Sequence, residues 1–138
     1  MTIGSNFTLP CGVTLKNRLC KAAMTEGIAD SNNFATQRHI NLYKKWSSGG
    51  AAILLSGNVQ VDRRYLEGPG NVAIEKDSYL NQIDMLKKWA EAGTKNNTQF
   101  WMQISHAGRQ TPGAINPNPI SPSSVQLIIP TANYGVPV

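Results

Sequence analysis

Apolar and polar positions follow one another in short, distinct blocks along this chain. Residues 7–15 (FTLPCGVTL) predict two short strands around a Pro-Cys-Gly turn. Residues 19–23 (LCKAA) form a brief apolar run bounded by Arg18 and Glu26, and predict a first core strand. Residues 28–35 are loop by composition. From Thr36 the period changes: Ile40, Tyr43 and Trp46 recur with Leu42 on the flank, which predicts a helix with Thr36 as N-cap. Gly49-Gly50 ends it with the residue type that tolerates a left-handed conformation. Residues 51–55 (AAILL) are continuously apolar, as in a strand buried on both faces of a parallel sheet. Ser56-Gly57-Asn58 breaks that run. Residues 62–76 predict a long loop containing Gly68-Pro69-Gly70. Asp77 or Ser78 is expected to cap a second helix with Leu80, Ile83, Leu86, Trp89 and Ala90 as apolar positions, closed by Gly93. A third core strand, expected to be buried, starts near Gln99 with Phe100, Trp101, Met102 and Ile104. After Arg109 a Pro, Asn and Ser-rich loop follows, and residues 125–129 form a short strand or hairpin arm.

The order is hairpin, β, α, β, α, β, long loop. Strands that alternate with helices pair in parallel through right-handed crossovers. Each core strand ends in a polar or glycine break: MTEG, SGN and SHAGR. All three breaks then lie on one face, at the carboxyl ends of parallel strands, where α/β folds keep their chemistry. Gln103 interrupts the third strand. A buried side-chain amide is costly unless its donor and acceptor both find partners. A neighbouring backbone would serve, and so would a planar heterocycle with adjacent C=O and N–H groups. His106 and Arg109, just past the strand end, favour a site. Gly57 fits either a bulge or a close approach to the backbone.

The chain of 138 residues is long enough for one domain with a core. Charged residues make up 15% and apolar ones 41%, which excludes a disordered tail. No apolar run approaches the roughly 20 residues of a membrane span, and the N-terminus lacks the pattern of a signal peptide. Net charge is +5, but the bases come as scattered pairs (Lys44-Lys45, Arg63-Arg64, Lys87-Lys88), not as a nucleic-acid patch. Cys11 and Cys20 follow no metal or redox spacing. Cys20 reads as core packing, Cys11 as a turn residue, and both as reduced thiols of a cytoplasmic protein.

Three stretches together resemble the N-terminal part of the Old Yellow Enzyme family, the FMN-dependent NADH:flavin oxidoreductases. Leu15-Lys16-Asn17-Arg18 with Ala22-Ala23-Met24-Thr25 is similar to the family's L-x-N-R…A-P-M-T. Gly49-Gly50-Ala51 leading to Ser56-Gly57-Asn58-Val59 is similar to its second strand. Gln103-Ile104-Ser105-His106-Ala107-Gly108-Arg109 is similar to Q-L-x-H-x-G-R. The resemblance implies an α/β fold, the N-terminal part of a (β/α)8 TIM barrel with FMN over its carboxyl mouth. It implies that Ala22, Ala23, Met24 and Thr25 line the flavin, with the Thr25 hydroxyl on its C4 carbonyl. Gly57 would offer a backbone N–H near the same edge, and Gln103 would pair with the pyrimidine edge. His106 and Arg109 match the motif without an assigned catalytic act. Ala23 stands where proline is usual, and Gly27 where some members place a substrate-facing tyrosine.

A (β/α)8 barrel needs about 250 residues, so residues 1–138 are expected to hold about three of its eight strands. The resemblance implies an ene-reductase-type enzyme moving hydride from NAD(P)H through FMN to an activated alkene. The chain alone is expected to be an inactive fragment that needs a complementary C-terminal chain or a homo-oligomer. The alternative is a non-catalytic truncated product or a partner-binding module.

Overall fold

The computed structural model describes residues 2–138; Met1, at the start of the N-terminal stretch that lacks a signal-peptide pattern, lies outside the described residues. A small antiparallel hairpin comes first, β1 (Phe7–Thr8) with β2 (Thr14–Leu15). A four-stranded parallel sheet follows, of β3 (Cys20–Lys21), β4 (Ile53–Gln60), β5 (Val72–Ala73) and β6 (Gln99–Ser105). β4 is its axis. β6 runs along one edge of β4, while β3 pairs at Ile53 and Leu54 and β5 at Val59 and Gln60.

Two helices cover one face of the sheet, α1 (Gln37–Ser47) and α2 (Ile83–Gly93). Tyr43 and Trp89 are their deepest side chains, and they meet Leu54, Val59, Val72 and Phe100 of the strands. The aromatic rings interlock, with Tyr43 centred 4.6 Å from Phe100 and 5.3 Å from Trp89. Gly93 lets α2 approach β6, because a Cβ there would sit 2.6 Å from Phe100 Cγ. On the opposite face Leu15 and Leu9 of the hairpin close over Ala52, Ile53 and Leu55. Lys16 Nζ reaches Asn96 O at 2.7 Å and Thr98 Oγ1 at 2.9 Å, and Asn17 Nδ2 reaches Gly50 O at 2.7 Å. The motif Leu15-Lys16-Asn17 thus ties the hairpin to the turns that lead into β4 and β6. It works at the amino ends of the strands, the stabilising side of such a fold.

Several expectations change in detail. The first core strand shrinks to Cys20–Lys21, and Cys20 is exposed rather than packed in a core. β4 does not stop at Ser56-Gly57-Asn58; it continues through a register shift between Leu55 and Asn58 to Gln60. The loop after β4 carries β5, which the two residues Val72 and Ala73 could not announce by periodicity. A 3-10 turn over Tyr79–Gln82 with Ser78 as N-cap precedes α2, and Leu80 is 67% exposed. Ala90 is exposed too. Residues 125–129 form no strand, and only Ile129 makes an isolated bridge, to Ala132. β6 was expected to be buried, yet Trp101, Met102 and Ile104 are exposed at 44%, 43% and 71%. The physical reason is that β6 is an edge strand whose outer side has no neighbour among the described residues.

α1 begins at Thr36, as its sequence indicates, and His39 reaches back so that Nδ1 accepts the Thr36 N–H at 3.0 Å. His39 is buried beside Trp89. Desolvation holds its imidazole below the ordinary value of 6.5; Glu26 opposes that and Arg38 adds to it. A base depressed in the folded state is protonated first in the unfolded chain, so stability falls as pH drops below about 6.5. The urea midpoint is therefore expected to be lower at about pH 5.5 than at about pH 7.5. His39→Gln keeps a side chain suited to the reach-back bond and is expected to flatten that slope. An unaltered slope in the variant would assign the titration to another group.

Candidate functional site

The carboxyl ends of β3, β4 and β6 and the loop after β4 meet on one side of the sheet. Residues 22–27 leave β3 and run across β4 in the gap between its two partners on that edge. Gly57 permits this crossing: a Cβ there would lie 2.8 Å from Thr25 Cα and would overlap Met24 O and Glu26 Oε2. Between a bulge and a close approach, Gly57 is both. Ser56 repairs the ladder at the bulge, with Oγ accepting the Gln103 N–H at 2.9 Å and donating to Gly57 O at 2.8 Å.

Glu26 locks the crossing. Its Oε1 accepts the Gly57 N–H at 2.9 Å and the Tyr43 hydroxyl in a short hydrogen bond. Burial, and then the bond to Glu26, push the Tyr43 phenol well above its usual range. One carboxylate therefore joins the end of β3, the bulge of β4 and helix α1. The Gly57 N–H faces this carboxylate and not an open edge, which departs from the role expected of it.

A second carboxylate organises the exposed part. Glu67 Oε2 accepts from Thr25 Oγ1 at 2.7 Å and from Asn58 Nδ2 at 2.6 Å. Asn58 stands beside Gln103 in the β4–β6 register, and its Oδ1 accepts from Gln103 Nε2. Thr25 and Gln103 are thus brought into one hydrogen-bonded chain, Thr25–Glu67–Asn58–Gln103. Gln103 is exposed on that face, not buried. Ala22, Ala23 and Met24 line the path from β3 to Thr25, with Met24 56% exposed. Ala22 O accepts from Lys21 Nζ at 2.8 Å, and so does Leu55 O at 3.0 Å. Lys21 lies 4.3 Å over the Trp46 ring, and desolvation lowers its amine below the ordinary value.

His106 stacks on Tyr65 at 4.6 Å, and its Nδ1 accepts the Gly108 N–H at 3.1 Å. It shapes the turn after β6. Arg109 is exposed in that turn. Glu26 and Glu67 were not singled out from the sequence. Glu67 lies beside Gly68-Pro69-Gly70 in a stretch without periodicity, and nothing there signals an acceptor for two strands.

An open parallel α/β sheet with its polar groups gathered at the carboxyl strand ends is a segment of an α/β barrel. The chain belongs to the NADH:flavin oxidoreductase / NADH oxidase family, whose model matches residues 7–132. The NADH-dependent flavin oxidoreductase iliE of Hypocrea jecorina (strain QM6a) is 35% identical over 128 residues, which are 88% of this chain and 32% of that protein. The NADH oxidase of Thermoanaerobacter brockii is 34% identical over 119 residues, covering 82% of this chain and 17% of its own length. The Old Yellow Enzyme homologue from Zymomonas mobilis superposes on the whole chain with a TM-score of 0.80 at 18% identity, and the match covers 40% of that structure. The Old Yellow Enzyme from Trypanosoma cruzi gives a TM-score of 0.80 at 19% identity, over 98% of this chain and 41% of its own. The fold is therefore the N-terminal part of that (β/α)8 barrel. FMN is the flavin of the family and NAD(P)H its electron donor. The chain spans less than a third of the length of these two curated relatives.

Gly57→Ala is expected to destabilise the chain by roughly 1–3 kcal/mol, the usual cost of overpacking. The measurement is a urea unfolding midpoint, and an unaltered midpoint would mean that residues 24–26 do not cross β4 at this point.

Proposed function

We propose that this chain carries the isoalloxazine-binding half of an FMN-dependent ene-reductase site. The observation that supports it is the hydrogen-bonded chain Thr25–Glu67–Asn58–Gln103, which gathers side chains from three strand ends onto one exposed face. Its chemistry fits a flavin. The Gln103 amide is accessible and carries both a donor and an acceptor, as the pyrimidine edge of the ring requires. Ala22, Ala23 and Met24 are small or flexible side chains beside it, suited to lie along a planar ring. Gly57 contributes by letting residues 24–26 come close, not by a direct contact.

When bound, FMN supplies hydride transfer, from NAD(P)H to the flavin and from the flavin to the β-carbon of an activated alkene. The protein's share is to bind and orient. Gln103 and Thr25 fix the ring in its plane, and Glu26 keeps the Met24–Thr25 segment at a set height above β4. The exposed free thiols of Cys11 and Cys20 suit a reducing compartment, and we place the protein in the cytoplasm. Among the described residues no helix is long and apolar enough to cross a membrane.

Gln103→Leu is expected to weaken FMN binding about tenfold, near 1.4 kcal/mol, the worth of a hydrogen bond or two in a partly wet site. Fluorescence quenching of FMN on titration with the protein reads this directly. Equal affinity in the variant would remove Gln103 from the site.

The exposed side chains Trp101, Met102 and Ile104 favour a second element of this reading: β6 is a pairing edge for further barrel strands. Purified alone, the chain is expected to self-associate and to lack NAD(P)H oxidation. Co-expression with the C-terminal part of a relative is expected to give a yellow complex that oxidises NAD(P)H. A monomeric, active protein from residues 1–138 alone would overturn the reading, and a colourless stable monomer would favour a binding module without catalysis.

A further inference from the structure

Glu67 stands outside every motif that marks the family resemblance, yet two candidate site residues depend on it, Thr25 directly and Gln103 through Asn58. A carboxylate only accepts hydrogen bonds, and that fact sets a direction through the whole chain of contacts. Asn58 must turn its NH2 group to Glu67, which leaves Oδ1 for Gln103. Gln103 must then turn its own NH2 group to Asn58. What Gln103 keeps for a ligand is its Oε1 acceptor and one remaining N–H. Thr25 spends its single proton on Glu67 and keeps only lone pairs.

The loop that carries Glu67 is built to hold it. Tyr65 and Leu66, just before it, are buried. Just after it, the Gly68 N–H donates to Asn71 Oδ1 at 2.9 Å and the Ala29 N–H to Gly70 O at 3.0 Å. The left-handed φ of 77° at Gly70 brings that backbone against Gly27. Burial of Tyr65 and Leu66 holds the loop before Glu67, and the contacts of Gly70 to Gly27 and Ala29, in the segment that also carries Thr25, hold it after. Its two bonds are of the charge-assisted kind, about twice as strong as neutral ones.

We propose that Glu67 is a positioning residue that sets the donor and acceptor order of the flavin site. Through Asn58 it dictates which end of the Gln103 amide faces the ring, and it holds the Thr25 hydroxyl beside the same face. This rests on the FMN reading above. The consequence is a specificity for ring edges that carry an N–H beside a C=O, because such an edge satisfies both groups that Gln103 has left. Glu67→Gln breaks the rule: an amide at this position can donate to Asn58, and the order along the chain is no longer forced.

The experiment uses the 15N-labelled chain in its complex with the C-terminal part of a relative, stripped of flavin, and two probes, FMN and N3-methyl-FMN, which lacks the ring N–H. In the absence of flavin, E67Q is expected to shift the side-chain amide signals of Asn58 and Gln103 while the backbone amides of α1 and α2 stay in place. On titration the unsubstituted protein is expected to favour FMN over the methylated probe by about tenfold, and E67Q to bring the two near parity. Asn58→Ala cuts the same path without touching the carboxylate and is expected to lose the same discrimination. Unmoved Asn58 and Gln103 signals in an E67Q protein that binds FMN overturn the role of Glu67 and leave the cofactor reading standing. Moved signals in a complex that binds neither probe overturn the cofactor reading and uphold the ordering by Glu67. Discrimination that survives in both variants overturns the proposed specificity.

Discussion

The Glu26 carboxylate is the contact on which the arrangement of this chain depends. It takes the Gly57 N–H and the Tyr43 hydroxyl on one oxygen. The first joins the exit of β3 to the bulge of β4, and the second joins both to α1. A half-buried carboxylate is costly by itself; charge-assisted bonds from neutral donors offset that cost, and the Lys21 ammonium adds a favourable electrostatic interaction. The absence of a side chain at Gly57 makes the contact possible. Everything on the exposed side of the sheet, from Met24 to Gln103, is positioned relative to this crossing.

The two ends of the strands divide the work. At the amino ends, Lys16, Asn17 and Thr98 close turns against the hairpin, and Leu15 fills the floor of the sheet. At the carboxyl ends, side chains bond to one another in the open, through Glu67 and Asn58. The first set resists unfolding and the second set is exposed, Asn58 only partly. This is the division expected where parallel strands present their carboxyl ends to chemistry and their amino ends to packing. The motif Leu15-Lys16-Asn17-Arg18 thus belongs to the stabilising end and Ala22–Thr25 to the carboxyl end, although only three residues separate them in sequence.

β6 shows what a partial barrel leaves open. Phe100 faces the helices and is packed against Tyr43 and Trp89. Met102 and Ile104 share its face but lie beyond the reach of α2, and Trp101 lies on the other face; all three remain exposed. Their apolar character suits a strand covered on both sides, and their exposure marks the edge at which further strands of the family fold would add.

The sequence alone determined the order of elements apart from β5, the parallel pairing and the helix cap at Thr36. Those rest on periodicity, capping and glycine placement, which are local. It also pointed to Thr25, Gly57 and Gln103 as neighbours, because strand ends in a βαβ order share one face. It overstated the burial of β6 and Cys20, since apolar composition reports what a residue tolerates and not which neighbours are present to cover it. The short strand β5 was invisible because two residues carry no period. The roles of Glu26 and Glu67 were decided only by the tertiary structure. Each is a carboxylate in a segment without pattern, and its meaning comes from partners far along the chain: Gly57 and Tyr43 for Glu26, Thr25 for Glu67. Sequence spacing encodes which face a side chain takes within its own element, whereas the direction of a hydrogen bond between elements exists only once they have packed.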